Sequence, residues 1–200
     1  MRKLLFGFLA FIIAGTSFAQ PVSDNAIIPM SISLNSILRL NVLSGGNIEF
    51  VVNNINQYTA GIPNSAKYTT EFTVASSVDF DVDLRAESAT AEFNGTDLFA
   101  NKMDLDNVGY ALAVTGGGAH ATNWTLAPVP AAAPVALTNG DVTIITSIVG
   151  LGAGDIAQNK FQILWELGTS LGTMNASTLL AQSLAADRYT ANIWLTLSAQ

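Results

Sequence analysis

The chain has 200 residues, of which 50% are hydrophobic and 12% charged, and it carries a net charge of −7 and no cysteine. The acidic balance argues against nucleic acid and anionic membrane surfaces as partners, because both select for Lys and Arg. The lack of cysteine excludes disulfides, thiolate metal sites and a cysteine nucleophile.

The N-terminus has the order of a secretory signal peptide. Arg2 and Lys3 give a positive start, and residues 4–15 are almost wholly apolar. Ser17 and Ala19 then stand at the two positions that a signal peptidase reads. The apolar run is shorter than the ~20 residues that a membrane-spanning helix needs. We therefore expect residues 1–19 to be removed and the mature chain, without a transmembrane segment, to reach the periplasm, the cell surface or the medium.

After the signal peptide, residues 20–35 are interpreted as an N-terminal extension or a first strand, and residues 36–200 as one β-sandwich domain. Apolar and polar residues alternate in residues 37–43 and again in 48–52, on either side of Ser44-Gly45-Gly46. This pattern predicts a hairpin with a glycine-bearing turn. Residues 53–64 are polar with a glycine and a proline, which predicts a loop.

Two further strands are predicted over residues 68–74 and 78–84. In the second, Phe80, Val82 and Leu84 alternate with acidic residues, which is typical of a strand with one face buried. The acidic residues are spaced ~7 Å apart along one face, too far for one metal ion without help from a neighbouring strand. We interpret them as a solvated face, formed by Asp79, Asp81 and Asp83.

Later segments repeat the strand pattern. Strands are predicted over residues 108–114, 141–149 and 161–166, and residues 127–134, with three prolines, predict an extended connection or sheet edge. Leucines and alanines near residues 177–186 predict one short helix. The final strand places on one face Tyr189, Ala191, Ile193, Leu195 and Leu197.

These elements together predict an all-β, antiparallel β-sandwich of immunoglobulin-like or pilin-like type, with at most one short helix near 177–186. Turn signals recur at fairly regular spacing, and no long helical period interrupts them. Trp165 falls on the inward face of its strand with Phe161 and Ile163, so it is interpreted as core. Trp194 falls on the polar face of the last strand and is the candidate for binding a ligand.

No catalytic motif accompanies the residues that could carry chemistry. His120 is the only histidine, and no G-x-S-x-G elbow is present, so we interpret it as a surface residue. Asp104, Asp106 and Asn107 followed by a glycine give a weak calcium candidate, whose third and last ligand positions are occupied by Val108 and Thr115. The spacing of the other acids does not predict a glycosidase pair; these are Glu92, Asp97 and Glu166. We expect no enzyme activity and no cofactor.

The C-terminal sequence Asp187-Arg188-Tyr189-Thr190, followed by an alternating strand, resembles the C-terminus of spore-coat-U-like and related bacterial pilin-type β-sandwich subunits. Residues 161–166 and 174–182 are similar to the penultimate part of such domains. Residues 36–52 resemble the first hairpin of secreted proteins from Bacteroidetes-type bacteria. The resemblance implies a fimbrial or adhesive surface protein with a sandwich fold.

The leading functional hypothesis is therefore a structural or adhesive subunit of the bacterial cell surface that assembles into fibres by strand addition. Self-association, or contact with other surface proteins, is expected through Ile32, Leu34, Ile193, Leu195 and Leu197. The alternative is an extracellular module that binds carbohydrate or another polymer through Trp194 or through the loop over residues 116–123. An exported hydrolase is the third hypothesis.

The order of residues at the N-terminus generates a first prediction. Cleavage after Ala19 should leave Gln20 as the first residue of the exported protein, free or cyclised. Intact-mass measurement of protein recovered from outside the cytoplasm checks this. A mass that retains Met1 or Leu4 would show that the segment is not removed.

Overall fold

The computed structural model describes residues 27–128 and 133–200 and confirms the predicted all-β, antiparallel class. The chain divides into two units, Met1–Leu34 and Asn35–Gln200. Of the first unit, residues 27–34 are described: they form neither helix nor strand, and every side chain is exposed.

The described part of the chain lacks any helix with the length and apolar character required to cross a bilayer. The predicted signal peptide, residues 1–19, lies outside the described residues, as does the middle of the predicted connection over 127–134.

The described part of the second unit contains twelve strands and one α-helix, α1 (Ile55–Ala60). The strands are β1 (Leu38–Ser44), β2 (Thr69–Ser76), β3 (Phe80–Glu87), β4 (Glu92–Gly95), β5 (Lys102–Asp104), β6 (Val108–Val114), β7 (Trp124–Leu126), β8 (Val135–Ala136), β9 (Val142–Ser147), β10 (Lys160–Leu167), β11 (Tyr189–Thr190) and β12 (Asn192–Ala199).

Three antiparallel sheets result. A five-stranded sheet has the order β1-β2-β10-β6-β8, and a four-stranded sheet has the order β12-β3-β9-β7. A smaller sheet has the order β11-β4-β5. Consecutive strands β2 and β3 belong to different sheets, so the chain crosses the sandwich at Ser77 rather than forming a hairpin.

The core lies between the two larger sheets, and a row of four aromatic rings crosses it. Phe72 on β2 lies 5.5 Å from Phe161 on β10, measured between ring centroids. Phe161 in turn lies 5.2 Å from Trp124 on β7, and Trp124 lies 5.3 Å from Phe80 on β3. The row therefore joins two strands of the five-stranded sheet to two strands of the four-stranded sheet.

The alternation of β3 explains its position in this core. Phe80, Val82 and Leu84 are buried against the five-stranded sheet, while Asp81 and Asp83 turn outward. Asp83 accepts a hydrogen bond from the Thr143 hydroxyl of β9 at 2.6 Å. The predicted faces of this strand, and the interpretation of Trp165 as a core residue, agree with the structure.

The predicted hairpin over residues 37–52 is wrong. β1 pairs with β2 instead, with Leu40 opposite Val74, and residues 46–52 are not in a strand. Gly45 is the physical reason. Its φ of 66° is a left-handed conformation that suits glycine, and any Cβ there would collide with the Thr69 carbonyl oxygen. The chain therefore runs past β2 at this point without turning back on β1.

The predicted helix near 177–186 is also wrong, because the segment forms successive turns. The Asn175 side chain accepts a hydrogen bond from the Ser177 N–H at 2.9 Å, and the Leu180 N–H donates to the Tyr58 carbonyl at 2.9 Å. Ser183 has a φ of 52°, which a right-handed helix does not accommodate. The α-helix lies instead inside the predicted loop, where Asn54 caps it by accepting from the Gln57 N–H at 3.0 Å.

The aromatic row generates a second prediction. Phe161→Ala removes the ring that contacts both Phe72 and Trp124, and it should lower the free energy of unfolding by ~3–5 kcal/mol. Gln162→Ala, the next residue along β10 and directed to the opposite face, should cost no more than ~1 kcal/mol. Denaturant unfolding of the two variants measures the difference. Equal losses would show that the row does not hold the sheets together.

Candidate functional site

A groove with a volume of about 710 Å³ opens at one end of the sandwich. One wall is formed by residues 46–52, which we call the unpaired segment, and the other by residues 184–193, the C-terminal wall. The volume lies within the range of ~300–1,000 Å³ found for ligand-binding cavities. The groove is therefore large enough to hold a ligand.

The unpaired segment is an alternating apolar stretch that is not part of any sheet. Ile48, Phe50 and Val52 pack against the core, and the Phe50 ring stacks on Tyr68 at a centroid distance of 4.3 Å. None of the hydrogen bonds found among the described residues involves a backbone group of residues 46–52. Because peptide groups need hydrogen-bond partners unless water reaches them, this wall offers a row of free donors and acceptors.

The C-terminal wall contains β11 and the start of β12, which are both edge strands. Among the described strands, β11 pairs only with β4, where Tyr189 lies opposite Gly95, and β12 pairs only with β3. β12 contains neither a charged residue nor a proline, the usual features that prevent an exposed edge from pairing with another chain. The second wall therefore also leaves backbone groups unpaired.

Asp187 holds the C-terminal wall in place. Its carboxylate accepts hydrogen bonds from four backbone N–H groups and one side-chain amide, with distances of 2.7–3.1 Å. The donors are Thr96, Asp97, Leu98, Arg188 and the Asn101 amide. These hydrogen bonds, that from Asp97 above all, lower the pKa of Asp187 to about 2.

The floor of the groove is apolar. It is formed by residues from the five-stranded sheet, from the smaller sheet and from segments outside the strands, namely Phe93, Met103, Val108, Leu137, Ile163, Trp165, Leu167 and Leu179. Trp165 is buried, and its indole N–H donates to the Thr70 hydroxyl at 2.9 Å. An apolar floor between two walls with free backbone groups suits an extended peptide better than a small polar ligand.

An ion pair crosses the rim. The guanidinium of Arg188 lies 3.6 Å from the carboxylate of Glu49, and both side chains are more than half exposed. Exposed pairs of this kind contribute only ~0–1 kcal/mol. The pair therefore does little to hold the two walls together.

The structure brings two of the five predicted assembly residues to the groove. Ile193 and Leu195 line it, and Leu197 packs against the core two residues further along β12. Ile32 and Leu34 belong to the other unit, where their side chains are 77% and 91% exposed.

Trp194 lies on the outer face of the four-stranded sheet and is 47% exposed. The Arg85 guanidinium sits 5.6 Å from its ring centroid, and Arg85 also pairs with Asp141 at 3.3 Å. Hydrogen bonds from Asn192 first, and from Trp194, lower the pKa of Glu87 beside it. One face of the indole is thus already occupied by a protein cation.

The calcium candidate forms a single 3₁₀ turn, Leu105–Asn107. The Asp106 carboxylate accepts from the Asn175 amide at 3.0 Å, and the buried Asn107 amide donates to the Asp104 carbonyl and to Gln182. The side chains of Asp106 and Asn107, two of the three candidate calcium ligands, are therefore already hydrogen-bonded to other protein groups. In residues 27–128 and 133–200, no group of three or more acidic or histidine residues is arranged to hold a metal ion.

The remaining candidates are dispersed. His120 contacts the amides of Asn123 and Gln158 at 3.3 and 3.1 Å through its two ring nitrogens. Glu166 is buried on β10, and burial raises its pKa. Glu92 and Asp97 lie in β4 and in the turn that follows it.

Sequence reasoning missed Asp187 and the role of residues 46–52. The alternation of Ile48, Phe50 and Val52 predicts a strand. A pattern of period 2 indicates which face is buried but not whether a partner strand is present, so the lack of a partner cannot be predicted from it. In the sequence, Asp187 stands out only as part of a C-terminal motif. Four of its five hydrogen-bond partners lie about 90 residues earlier in the chain, so no local signal identifies them.

The hydrogen bonds of Asp187 generate a third prediction. The folded-state pKa of about 2 is below the ~3.9 of an unfolded aspartate, so the stabilisation is present above pH ~4 and is lost as the pH falls towards 2. Asp187→Asn should therefore lower the melting temperature at pH 6, and the difference from the unsubstituted protein should shrink between pH 4 and pH 2.

Asp97→Asn is the matched control, because it removes a carboxylate from the same turn and keeps the backbone donor to Asp187. Its effect on the melting temperature should be smaller at pH 6. An Asp187→Asn variant with the same melting temperature as the unsubstituted protein across this range would show that the carboxylate does not hold the wall.

Comparisons with known proteins assign this chain to no family. No family model matches it, and the search of curated proteins found no match. The function proposed for it therefore rests on the chain's own residues.

Proposed function

We propose that the mature chain is a structural or adhesive subunit of the bacterial cell surface, and that copies of it join by strand addition. The observation that carries this proposal is the groove, an apolar cleft with unpaired backbone on both walls. Backbone pairing supplies affinity in strand addition, and alternate side chains set the register.

A second observation supports self-association. Residues 27–34 carry no charge, and their apolar side chains recur at every second position in Ile28, Met30, Ile32 and Leu34. Each of these side chains is at least 77% exposed. Contiguous exposed apolar surface on soluble proteins usually marks a site of interaction. A segment of this kind is suited to pair with a sheet edge.

The sequence supports the proposed location. The signal-peptide pattern favours export, and a chain that is only 12% charged suits a protein that buries surface against its neighbours. The sandwich forms without disulfides, so its stability does not depend on the redox state of its surroundings.

A second candidate function is carbohydrate or polymer binding at Trp194. The half-exposed indole favours it, since sugars stack on aromatic rings at exposed sheet faces. The Arg85 guanidinium over the ring is the observation against it, because a ligand would have to displace that cation or use the other face. We therefore place assembly first and this role second.

The exposed apolar segment generates a fourth prediction. Ile32→Asp combined with Leu34→Asp should weaken self-association of the mature chain at least ~100-fold, because burying unpaired carboxylates at a strand interface is costly. Light scattering coupled to gel filtration, over a range of protein concentrations, measures the loss of oligomers.

The matched control is Ser31→Asp combined with Ser33→Asp, which adds the same charge to the alternate face of the segment. This variant should retain most of the assembly. If the unsubstituted mature protein is strictly monomeric at high concentration and on cells, the subunit hypothesis is wrong. Glycan binding that is lost in Trp194→Ala would then support the second candidate.

A further inference from the structure

We infer that a polar hollow beside Trp194 is a binding site for neutral saccharides. The hollow has a volume of about 400 Å³ and lies where the smaller sheet meets the four-stranded sheet. It is lined by Glu87, Asn94, Thr190, Ala191 and Asn192. This assignment rests on the second candidate function and adds the residues that hold the ligand and the chemical class of that ligand.

The hollow forms where the C-terminal part of the chain changes its pairing partner. Thr190 lies opposite Asn94 in the pairing of β11 with β4. Asn192 lies opposite Glu87 in the pairing of β12 with β3. Ala191 stands between the two pairings and belongs to neither strand. The polar side chains around this gap are therefore carried by strands, which position a binding site more precisely than loops do.

Glu87 supplies the acceptor of the site. Its carboxylate accepts a hydrogen bond from the Asn192 amide at 2.7 Å. This hydrogen bond, and after it one from Trp194, lower the pKa of Glu87, so the carboxylate is ionised at neutral pH. An ionised carboxylate has about four acceptor positions, so these two contacts leave others for a ligand. A ligand with several hydroxyl groups can donate to them.

The other polar groups of the hollow can both donate and accept. The Thr190 hydroxyl is exposed and can do either. The side-chain oxygen of Asn94 accepts from the Lys102 ammonium, which leaves the Asn94 NH₂ group as a donor. Saccharide hydroxyl groups also donate and accept, whereas a lipid tail does neither. The hydrogen-bonding capacity of the lining therefore matches a saccharide.

Trp194 adds an apolar surface next to these polar groups. It follows Asn192 by two residues on β12, so both side chains emerge on the outer face of the sheet. Arg85 lies over the indole ring, yet 47% of Trp194 stays exposed. A saccharide combines hydroxyl groups with apolar C–H surfaces that pack on aromatic rings. A ligand held by Glu87 in the hollow can contact the indole without displacing Arg85.

Charge favours neutral saccharides over acidic ones. Glu87 is the only charged residue among the five that line the hollow. The two cations nearby already have partners, since Arg85 pairs with Asp141 at 3.3 Å and Lys102 donates to Asn94. A uronate, sulfate or phosphate group would therefore approach a carboxylate without a cation in the lining to offset the repulsion.

The lining supports binding rather than cleavage. Glycoside hydrolysis uses two carboxyl groups about 5–10 Å apart, and Glu87 is the only acid in the lining. A serine mechanism gains no support elsewhere. The spacing G-x-S-x-G does occur, over residues 168–172, so the expectation that it is absent is wrong. However, the Ser170 hydroxyl is buried without a hydrogen-bond partner among the described residues, and His120 contacts two amide side chains instead.

Saccharide binding by the full mature chain tests the site. The probe is a printed array of neutral oligosaccharides and of their uronate-containing analogues, followed by titration calorimetry with the neutral oligosaccharide that gives the strongest signal. The expected result is binding of neutral oligosaccharides, with the uronate analogues at least ~10-fold weaker because of Glu87. Uronates that bind as tightly as the neutral oligosaccharides would overturn the assigned ligand class.

Two variants of nearly unchanged shape locate the ligand in the hollow. Glu87→Gln removes the charged acceptor and should raise the dissociation constant ~10-fold or more, since hydrogen bonds to charged groups are the stronger ones. Thr190→Val removes only a hydroxyl and should raise it by a smaller factor. The matched control is Asp83→Asn, which removes a carboxylate from the same face of β3 outside the hollow and should change the constant less than ~2-fold. Melting temperatures of all three variants verify that each is folded.

The outcomes separate this site from the function on which it rests. Binding that is lost in Trp194→Ala but unchanged in Glu87→Gln and Thr190→Val would overturn the hollow and leave saccharide binding at Trp194 standing. Binding that none of these three variants weakens would overturn both the hollow and the role of Trp194. The same holds if no oligosaccharide on the array binds and millimolar titration gives no heat.

Discussion

The contact on which the structure depends is the packing of aromatic rings across the two larger sheets. Phe161 sits at its centre, between Phe72 on its own sheet and Trp124 on the other. Rings of this size bury more apolar area than any other side chains, and tilted or edge-on contacts between them add to that stabilisation. The row joins β2 and β10 to β3 and β7. Neither β1 nor β12 contributes a ring to it. Each lies at the end of its sheet and, among the described strands, is hydrogen-bonded to a neighbour on one side only.

Open edges of this kind place a constraint on assembly. In the arrangement that we propose, the donated segment and the accepting groove are different surfaces of the same chain. An interface between two different surfaces is heterologous, and repetition of it builds an open row of subunits rather than a closed pair. A cell-surface fibre is one natural product of such growth. The two walls of the groove, one maintained by Asp187 and the other by packing of Phe50 on Tyr68, would then be repeated at each junction.

Much of the fold could be predicted from local pattern. The alternation identified the buried face of residues 78–84 and the half-buried face with which the last strand packs on the core, because the period of a strand fixes the direction of every side chain. Pairing partners could not be predicted in the same way. β1 pairs with β2 across about 30 residues, and the local glycine turn suggested a nearer partner. The helix near 177–186 failed for a related reason, since a contact with Tyr58 outweighed local propensity.

Only part of the candidate site could be predicted from the sequence. Ile193 and Leu195 were identified by their alternation, and both line the groove. The alternation in the unpaired segment predicts a strand. Whether such a strand has a hydrogen-bonded partner depends on the order of strands in the folded sheets, which the local sequence does not encode. The hydrogen bonds of Asp187 close a loop of about 90 residues, so they exist only in the folded chain.

The position of Trp165 gives the protein a built-in optical signal. Of the three tryptophans, Trp124 is buried in the core and Trp194 lies on the outer face of its sheet, while the indole of Trp165 forms part of the groove floor. Indole emission shifts to shorter wavelength when water is removed from its surroundings. A chain in which Trp124 and Trp194 are replaced by phenylalanine would therefore report the hydration of the groove through its intrinsic fluorescence, without any attached dye.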